Sequence, residues 1–432
     1  MRSVLSLAPV VLLSGVTLAN ATPVALTNKL TAGDAAAGDN FGYSVGISGS
    51  TAIVGAYQDD DNGDDSGSAY LFDTTTGTQT QKLIADDGAA NDYFGTSVGL
   101  SGTTAIVGAP SDDDNGRFSG SAYLFDTTTG AQTQKLIASD GAARDSFGWS
   151  VGISGNLAIV GAQGSGTYSG SAYLFDTTTG IQTHKLTADD GAGRDYFGRS
   201  VALSGTTAIV GAPYDDDNGS AYLFNARTGD QIAKLTASDG VSGGEFGYSV
   251  GIFGTTAIVG APFDDDDDNG TNSGAAYLFD LSSLDPNGSV SLTETAKLLA
   301  TAGAANDLFG WSVGIFGTTA IVGAPYDDDN GSASGSAYFY DIANLSTPVE
   351  TKLIANDGAS WDRFGLSVAI SGSTAIVNGD DDNGPASGSA YLYTASAPAP
   401  VPLPASLWLL GAAVGGAAGL RRVAQRRRYP GT

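Results

Sequence analysis

Apolar and polar positions follow a pattern that recurs about every 50 residues along most of the chain. In the second copy, Val98 and Leu100 alternate with small or polar neighbours, while Ala105–Ala109 is a continuous apolar run, as expected of a strand buried on both faces. Pro110 lacks an amide proton for a ladder and should end that strand. Leu136 should face inward from the last strand. The pattern predicts four strands in this copy, at residues 92–101, 105–109, 121–125 and 132–138.

A Phe-Gly pair marks each copy and allows the copies to be counted. Each pair is followed by an Ala-Ile-Val run, in most copies an Asp-rich loop, then an Ala-Tyr-Leu-Phe run or a close variant of it. This period indicates an array whose units share a core, and four strands per unit favour one blade of a β-propeller. We therefore predict an all-β, seven-bladed β-propeller of four-stranded antiparallel blades. The Phe-Gly pairs begin at Phe41, Phe94, Phe147, Phe197, Phe246, Phe309 and Phe364.

Seven Lys positions are offset from the Phe-Gly pairs by one strand, which predicts how the ring closes. The first pair, Lys29-Leu30, precedes the first Phe-Gly pair, and no such pair follows the last copy, which ends at Tyr393. The N-terminal strand, at about residues 25–32, should therefore complete blade 7 and remove the exposed edges of an open array. The seven lysines are Lys29, Lys82, Lys135, Lys185, Lys234, Lys297 and Lys352.

Residue size along each copy predicts where the blades approach one another. Gly and Ala in the first two strands should let backbones crowd together near the axis, and Tyr and Phe in the third strand should fill the wider space between blades. A large residue at Gly108 or Gly211 should overpack the centre, at a cost of roughly 1–3 kcal/mol or more. The fifth and sixth copies have longer connections, at 281–295 and 341–350, which we interpret as neutral loop drift.

The chain is strongly acidic, with 46 acidic and 19 basic residues and a formal charge of −27. This argues against nucleic acid as a partner, because phosphate binding needs the opposite sign. It favours cations or neutral and basic partners, and solubility alone would also account for it. The absence of Cys excludes disulfides, thiolate nucleophiles and Cys-based metal sites.

Both ends of the chain have the composition of sorting elements. Arg2, an apolar stretch at 4–18 and the small-x-small triplet Ala19-Asn20-Ala21 predict a signal peptide at 1–21, cleaved by signal peptidase. The propeller is expected at 22–394 and a Pro/Ala linker at 395–404. Residues 405–432 combine an apolar stretch, at the short end for a transmembrane helix, with a terminal Arg cluster that would stay cytoplasmic.

The sequence Val401-Pro402-Leu403-Pro404-Ala405, followed by the apolar stretch and the arginines, resembles the PEP-CTERM class of bacterial sorting signals in its VPLPA variant. The resemblance covers roughly the last 32 residues. It implies a Gram-negative host, an exosortase-type protease that removes the helix, release or attachment at the cell surface, and an association with exopolysaccharide. A plain C-terminal membrane anchor is the alternative.

A Phe-Gly pair followed by Gly-Ala-Pro within the same copy resembles the FG-GAP repeat, the unit of the integrin α-subunit propeller. The resemblance covers about 25–393 and implies a seven-bladed propeller, extracellular placement, binding rather than catalysis, and often bound calcium. Gly-Ala-Pro is altered at Gly55 and Gly161 and lost at Asn378, and the Asp loops follow this motif, whereas calcium loops precede it in integrin-type repeats. The motif is intact at Gly108, Gly211, Gly260 and Gly323.

The Asp-rich loops are the candidate metal sites. Clustered carboxylates with a Gly-permitted sharp turn supply the hard oxygens that calcium prefers. The spacing Asp-x-Asp-x-Asn-Gly is complete only at Asp265, Asp267, Asn269 and Gly270, and the third copy has no Asp loop. We predict weak calcium binding, with solvated turns as the alternative. The further candidate ligands are Asp59, Asp61, Asp112, Asp114, Asp215, Asp217, Asp327, Asp329, Asp380 and Asp382.

A second acidic pair precedes Phe-Gly in five copies. An Asp just ahead of a strand often accepts hydrogen bonds from backbone amides in a turn, so capping is our main interpretation and metal binding the alternative. The pairs are Asp34/Asp39, Asp87/Asp92, Asp140/Asp145, Asp190/Asp195 and Asp357/Asp362.

Few residues favour catalysis. The sole His, His184, occupies a position that holds Gln81 and Gln134 in sister copies, which argues against a general base. Trp149, Trp311 and Trp361 follow or flank Phe-Gly, where they would either stack on sugars or pack in the core. We predict a non-catalytic binding or adhesion module of the cell surface or matrix, with exopolysaccharide or another surface protein as partner. A polysaccharide-active matrix enzyme is the alternative.

Overall fold

The computed structural model of the protein describes residues 23–265, 269–284, 290–345, 347–379 and 387–395. The predicted signal peptide, the linker beyond Ala395, the sorting segment and the candidate ligands Asp267, Asp380 and Asp382 lie outside the described residues. Within the described part of the chain, no helix has the length and apolar character needed to span a bilayer.

Short strands dominate the described residues, with one helical turn at Ser165–Tyr168 and a 3-10 turn at Asp215–Asp217. The strands are β1 Val24–Leu30, β2 Phe41–Ser48, β3 Thr51–Ala56, β4 Ser68–Asp73, β5 Gln79–Leu83, β6 Ser97–Ser101, β7 Thr104–Ala109, β8 Ser121–Asp126, β9 Gln132–Leu136, β10 Phe147–Ser154, β11 Leu157–Ala162, β12 Ser171–Asp176, β13 Gln182–Leu186, β14 Ser200–Ser204, β15 Thr207–Ala212, β16 Ser220–Asn225, β17 Gln231–Leu235, β18 Ser249–Phe253, β19 Thr256–Ala261, β20 Ala275–Asp280, β21 Val290–Leu292, β22 Ala296–Leu298, β23 Ser312–Phe316, β24 Thr319–Ala324, β25 Ser336–Asp341, β26 Val349–Leu353, β27 Val368–Ser371, β28 Thr374–Gly379 and β29 Ser389–Ala395.

These strands form seven sheets, each one blade of the predicted propeller. Blades 1 to 6 run in chain order from an inner first strand to an outer fourth strand, as β6-β7-β8-β9 does in blade 2. In blade 7 the order is β27-β28-β29-β1, and Lys29 on β1 pairs with Tyr391 on β29. The N-terminal strand therefore closes the ring, as predicted, and begins and ends one or two residues earlier than expected.

Blade 4 departs from the prediction because it contains a fifth strand. The long connection of the fifth copy supplies β21, which pairs in parallel with the outer strand β17 and places Leu292 beside Leu235. Ile232 and Ala233 on β17 are buried, whereas blade 2 has Thr133 and Gln134 at these positions. This insertion covers a sheet edge, so the interpretation of neutral loop drift is wrong for it.

The hydrophobic core is divided into seven clusters, each shared by two adjacent blades. Between blades 1 and 2, Leu71 and Leu83 pack with Phe94 and other residues of the following blade. The Phe94 ring lies edge-to-face with Tyr123 at 5.6 Å and with Phe125 at 5.8 Å. Tyr and Phe of the third strand thus fill the space between blades, as predicted.

Glycine on the second strand allows consecutive blades to touch through their backbones. A Cβ atom added to Gly108 would lie 2.0 Å from the carbonyl oxygen of Gly148, in the Phe-Gly pair of the next blade. At Gly211 the same distance to Gly247 is 2.0 Å. The predicted close approach is confirmed, and it occurs between neighbouring blades.

Candidate functional site: the acidic loops and the central cavity

The first Asp of each intact acidic loop lies beneath the surface, against the outer strand of its own blade. In blade 2, Asp112 is 4% exposed and accepts a hydrogen bond from the Tyr123 hydroxyl at 2.8 Å. The Lys135 ammonium lies 3.0 Å from the same carboxylate and 5.2 Å from the centre of the Tyr123 ring. It also contacts Asp114 at 2.6 Å and Asp87, ahead of the Phe-Gly pair, at 2.7 Å. We call this arrangement the Asp–Tyr–Lys cluster.

The cluster repeats because its three residues occupy fixed register positions on the loop, third strand and fourth strand. In blade 3 the loop carboxylate is missing, since Ser165 stands at that position and Lys185 pairs only with Asp140 among the described residues. In blade 7, Lys29 pairs with Asp357. The complete clusters besides that of blade 2 are Asp59/Tyr70/Lys82, Asp215/Tyr222/Lys234, Asp264/Tyr277/Lys297 and Asp327/Tyr338/Lys352.

Charge pairing sets the protonation of these groups. Burial lowers the pKa of Lys82, but hydrogen bonds with Asp34, Asp61 and Asp59 outweigh it and raise that pKa well above its ordinary value. Burial alone would raise the pKa of Asp34, and the bond from Lys82 brings it below 3.8. Burial, followed by the bond to Asp59, raises the pKa of Tyr70 far above 10. At neutral pH Lys82 is therefore an ammonium, Asp34 a carboxylate and Tyr70 a neutral phenol.

Two of these clusters have the donor set of a metal site. The carboxylates of Asp34, Asp59 and Asp61 offer oxygens within 4.8 Å of one another, and so do those of Asp190, Asp215 and Asp216. The oxygens suit calcium in type. However, the Lys82 ammonium lies 2.7, 3.1 and 2.6 Å from the first three carboxylates. A lysine side chain thus occupies the position that a bound cation would take.

The structure separates the predicted ligands into distinct environments. Asp59, Asp112, Asp215 and Asp327 are the buried members of their clusters, and Asp61, Asp114 and Asp329 are exposed partners of the same lysines. Asp217 is exposed, and Asp216 contacts Lys234 in its place. Asp265 accepts a bond from the amide of Asn272, and Asn269 donates to the carbonyl of Ala300. Asp264, absent from our prediction, is the buried member in blade 5.

The acidic pair ahead of Phe-Gly has two separate roles. Its second member caps the turn, as predicted: Asp92 accepts a bond from the amide of Ala89 at 2.7 Å, and burial raises its pKa to about 6. Asp307 caps the same turn in blade 6, where its pKa is also raised to about 6 by burial. The first member pairs with a lysine, as Asp87 does with Lys135. The separation of the two residues is 48, 48, 45 and 44 in blades 1 to 4 and 328 in blade 7, so no fixed spacing indicated this role.

A cavity of about 440 Å³ lies at the centre of the ring and is lined by first-strand residues of all seven blades. The residue after each Phe-Gly pair contributes to its lining, and the side chain at this position differs between blades. We call these residues the variable ring. They are Tyr43, Thr96, Trp149, Arg199, Tyr248, Trp311 and Leu366.

Aromatic and guanidinium groups of the variable ring contact one another. The Arg199 guanidinium lies 5.0 Å from the Trp149 ring centre and 4.5 Å from that of Tyr248, whose hydroxyl accepts a bond from it at 2.7 Å. The ring centres of Tyr248 and Trp311 are 4.6 Å apart. Trp149 and Trp311 therefore line the cavity and do not pack in the core, while Trp361 is 55% exposed on a connecting loop.

Comparison with known proteins places the repeats in a family. The FG-GAP repeat matches seven segments of the chain, each of which runs from the strand with the Lys-Leu pair to the third strand of the next blade. A search of curated proteins found no match to the chain. The segments are 25–72, 78–125, 131–175, 181–224, 230–279, 292–340 and 348–393. The chain belongs to the FG-GAP repeat family.

Proposed function

We propose that the protein is an exported, non-catalytic binding module that acts at the cell surface or in the extracellular matrix, in association with exopolysaccharide. Support comes from the contrast between its repeated and variable positions. Among the described residues, the lysines and buried loop carboxylates neutralise one another within the fold. The side chains that vary between blades instead meet around one cavity, as expected of a rigid scaffold that presents a single binding surface.

The processing proposed for the two ends is removal of 1–21 by signal peptidase and of the C-terminal helix by an exosortase-type protease. Before the second cleavage, this helix would hold the chain in the inner membrane. Expression of the full chain in an exosortase-bearing, exopolysaccharide-producing Gram-negative host should yield an extracellular product shortened at both ends, read by mass spectrometry. A variant with 401–405 replaced by Gly and Ser should keep its C-terminus. An uncleaved wild-type product inside the cell would contradict the proposal.

Binding is tested with the same extracellular product. It should co-sediment with purified exopolysaccharide from the host, whereas heat-unfolded protein should not. The length distribution of the polysaccharide, measured by size-exclusion chromatography, should stay unchanged during incubation. Shortened chains would instead favour a polysaccharide-active enzyme, and the absence of co-sedimentation would contradict binding.

Calcium, in this proposal, stabilises the acidic loops weakly because it must compete with a tethered lysine. The melting temperature of the full-length protein should rise slightly with calcium and not with magnesium. Lys82→Met removes the competing ammonium from three carboxylates, so it should enlarge the calcium-dependent rise. Lys185→Met is the matched control, since blade 3 lacks the loop Asp. An equal calcium response in the two variants would exclude the Asp34–Asp59–Asp61 cluster as a site.

A further inference from the structure

The described arginines are distributed very differently from the lysines. Every lysine of the chain lies on a fourth strand and pairs with an Asp. In a four-stranded antiparallel blade, the second-to-third loop and the connection to the next blade emerge at the same end, which we call the loop face. Arg227, in a third-to-fourth turn, lies at the opposite end. The arginines associated with the loop face are Arg117, Arg144, Arg194, Arg199 and Arg363.

Two of these arginines line the central cavity without an ion-pair partner among the described residues. Arg199 is held by Trp149 and Tyr248, as described above. Arg363 lies 5.8 Å from the ring centre of Tyr326, and its buried Nε has no hydrogen-bond partner. A buried donor without a partner costs free energy, so the fold leaves the hydrogen-bonding capacity of this guanidinium group unfilled.

The nearby carboxylate does not neutralise these groups through an ion pair. Glu245 interacts with Arg199 electrostatically but forms no ion pair with it, its Oε2 is buried without a hydrogen-bond partner, and burial raises its pKa above the ordinary value. Burial also raises the pKa of Tyr248 to about 12, although Arg199 opposes this shift. Tyr248 therefore stays protonated, and since its oxygen accepts from Arg199, its own proton remains free to be donated.

We propose that the central cavity binds a carboxylate-bearing sugar residue of an acidic polysaccharide, an inference that rests on the binding function proposed above and names its ligand class. The guanidinium groups of Arg199 and Arg363 suit a carboxylate, which such groups contact through paired donors. The overall charge of −27 repels an anion at long range, but salt screens this repulsion, whereas the two guanidinium groups act at the cavity itself. Trp149, Tyr248 and Trp311 offer ring faces on which the apolar face of a pyranose packs. A cavity of about 440 Å³ lies within the size range of small-ligand sites.

An acidic peptide would satisfy the guanidinium groups as well, but its aliphatic side chains lack a flat ring to lie on the aromatic surfaces. The ring contacts therefore favour the sugar. An acidic peptide is kept as a competing outcome in the experiment.

The test is a calorimetric titration of the full-length protein with trigalacturonate, maltotriose and hexaglutamate. Trigalacturonate should bind at least about tenfold more tightly than either other ligand. Arg363→Gln should raise its Kd by about tenfold or more, whereas Arg227→Gln, on the opposite face, should leave it unchanged. Trp311→Ala should weaken the binding of trigalacturonate and leave the melting temperature within a few degrees of that of the wild type.

Several outcomes would overturn the site. These are equal affinity for maltotriose, equal or tighter binding of hexaglutamate, no binding of trigalacturonate, or an equal loss in Arg227→Gln. Co-sedimentation with host exopolysaccharide distinguishes the two proposals. If the wild type and Arg363→Gln co-sediment equally, the protein is a binding module but the central cavity is not its site. If the wild type does not co-sediment at all, the proposed binding function itself is contradicted.

Discussion

The Asp–Tyr–Lys clusters and the variable ring use charged residues in opposite ways. In the clusters, the same three residue types recur in five blades, and the cation, carboxylate and phenol satisfy one another. In the variable ring, seven equivalent backbone positions carry Tyr, Thr, Trp, Arg, Tyr, Trp and Leu. Repetition therefore accompanies the interactions that hold each blade to its loop, and variation is concentrated where the blades jointly enclose a space.

Blade 3 sharpens this comparison from within the molecule. It retains Tyr173, Lys185 and Asp140, but Ser165 replaces the buried Asp, and its loop forms a helical turn. The blade nevertheless keeps its four strands, with register shifts at the same positions as in blade 1. The buried carboxylate is thus dispensable for the sheet itself, and its role is to fix the acidic loop over the outer strand.

The largest effect is expected where blades touch through their backbones. Gly108→Ala would place a methyl group 2.0 Å from the carbonyl oxygen of Gly148, so the blades must separate. We expect a loss of about 3 kcal/mol or more in unfolding free energy, measured by urea denaturation. In the control, Gly99→Ala, the new methyl group meets the side chains of Ile106 at 3.1 Å and Ile153 at 3.5 Å, and the Val151 carbonyl oxygen only at 4.0 Å. This variant should cost far less. Equal losses would show that the contact between blades is adaptable.

The next effect concerns the lysine of a complete cluster. Lys135→Met would leave Asp112 buried without its cation and should destabilise the protein by about 3–5 kcal/mol. Lys185→Met in blade 3 removes a more exposed pair and should cost about 0–1 kcal/mol. The double variant Asp112→Ser and Lys135→Met also removes the buried carboxylate, as in blade 3, so it should recover much of the lost unfolding free energy. Similar denaturation curves for Lys135→Met and Lys185→Met would contradict a special role for the buried Asp.

A smaller effect is expected from pH, and its sign differs between two groups of Asp. Lysine bonding overcomes burial and lowers the pKa of Asp34 and Asp87, so their contribution to stability is present above about pH 4 and is lost as pH falls further. The caps Asp92 and Asp307 have pKa values raised to about 6, so their contribution is present below about pH 4 and is lost as pH rises through 6.

Melting temperature measured from pH 2 to 8 should therefore pass through a maximum near about pH 4. The double variant Asp92→Asn and Asp307→Asn should decline less between about pH 4 and 6 and keep the loss in acid. A wild-type curve that rises steadily up to pH 7 would contradict the raised pKa values of the caps.

The smallest effect concerns backbone strain on the loop face. Trp361 has a φ of 78°, which is costly for a large side chain, and the equivalent residues of the first and fifth copies are Gly38 and Gly243. Trp361→Gly should raise the unfolding free energy by about 0.5–1 kcal/mol, read from thermal unfolding. In the reverse change, Gly38→Ala, the new methyl group would lie in open space, and the unfolding free energy should fall by a similar amount. A stabilising Gly38→Ala would contradict the argument from strain.

Much of the fold was predictable because the repeat shows each local preference seven times. The apolar run Ala105–Ala109 is buried in β7, and Leu136 is 1% exposed at the end of β9. The predicted first strand was too long: the chain turns from Tyr93, which has a φ of 58°, to Thr96, and β6 begins at Ser97. The alternation at Val98 and Leu100 indicated a strand but not where it begins, because residues 92–96 have no alternating pattern of their own.

The sequence drew attention to the Asp loops, but their calcium binding stays a prediction. The pairing of Asp112 with Lys135 could not be predicted, because it joins residues 23 positions apart through a strand register that the loop sequence does not contain. The apolar pair Ile232–Ala233 on β17, against Thr133–Gln134 in blade 2, was a visible sign that something covers that edge, yet its partner β21 comes from another blade.

The sequence by itself determined the number of blades, the strand that closes the ring and the residues that vary between copies, because hydrophobic periodicity and a counted repeat are local properties. Only the tertiary structure decided that a lysine lies where a cation would bind and that Arg199, Trp149 and Tyr248 meet at one cavity. Both depend on distances between residues far apart in the chain, which are fixed by the closure of the ring.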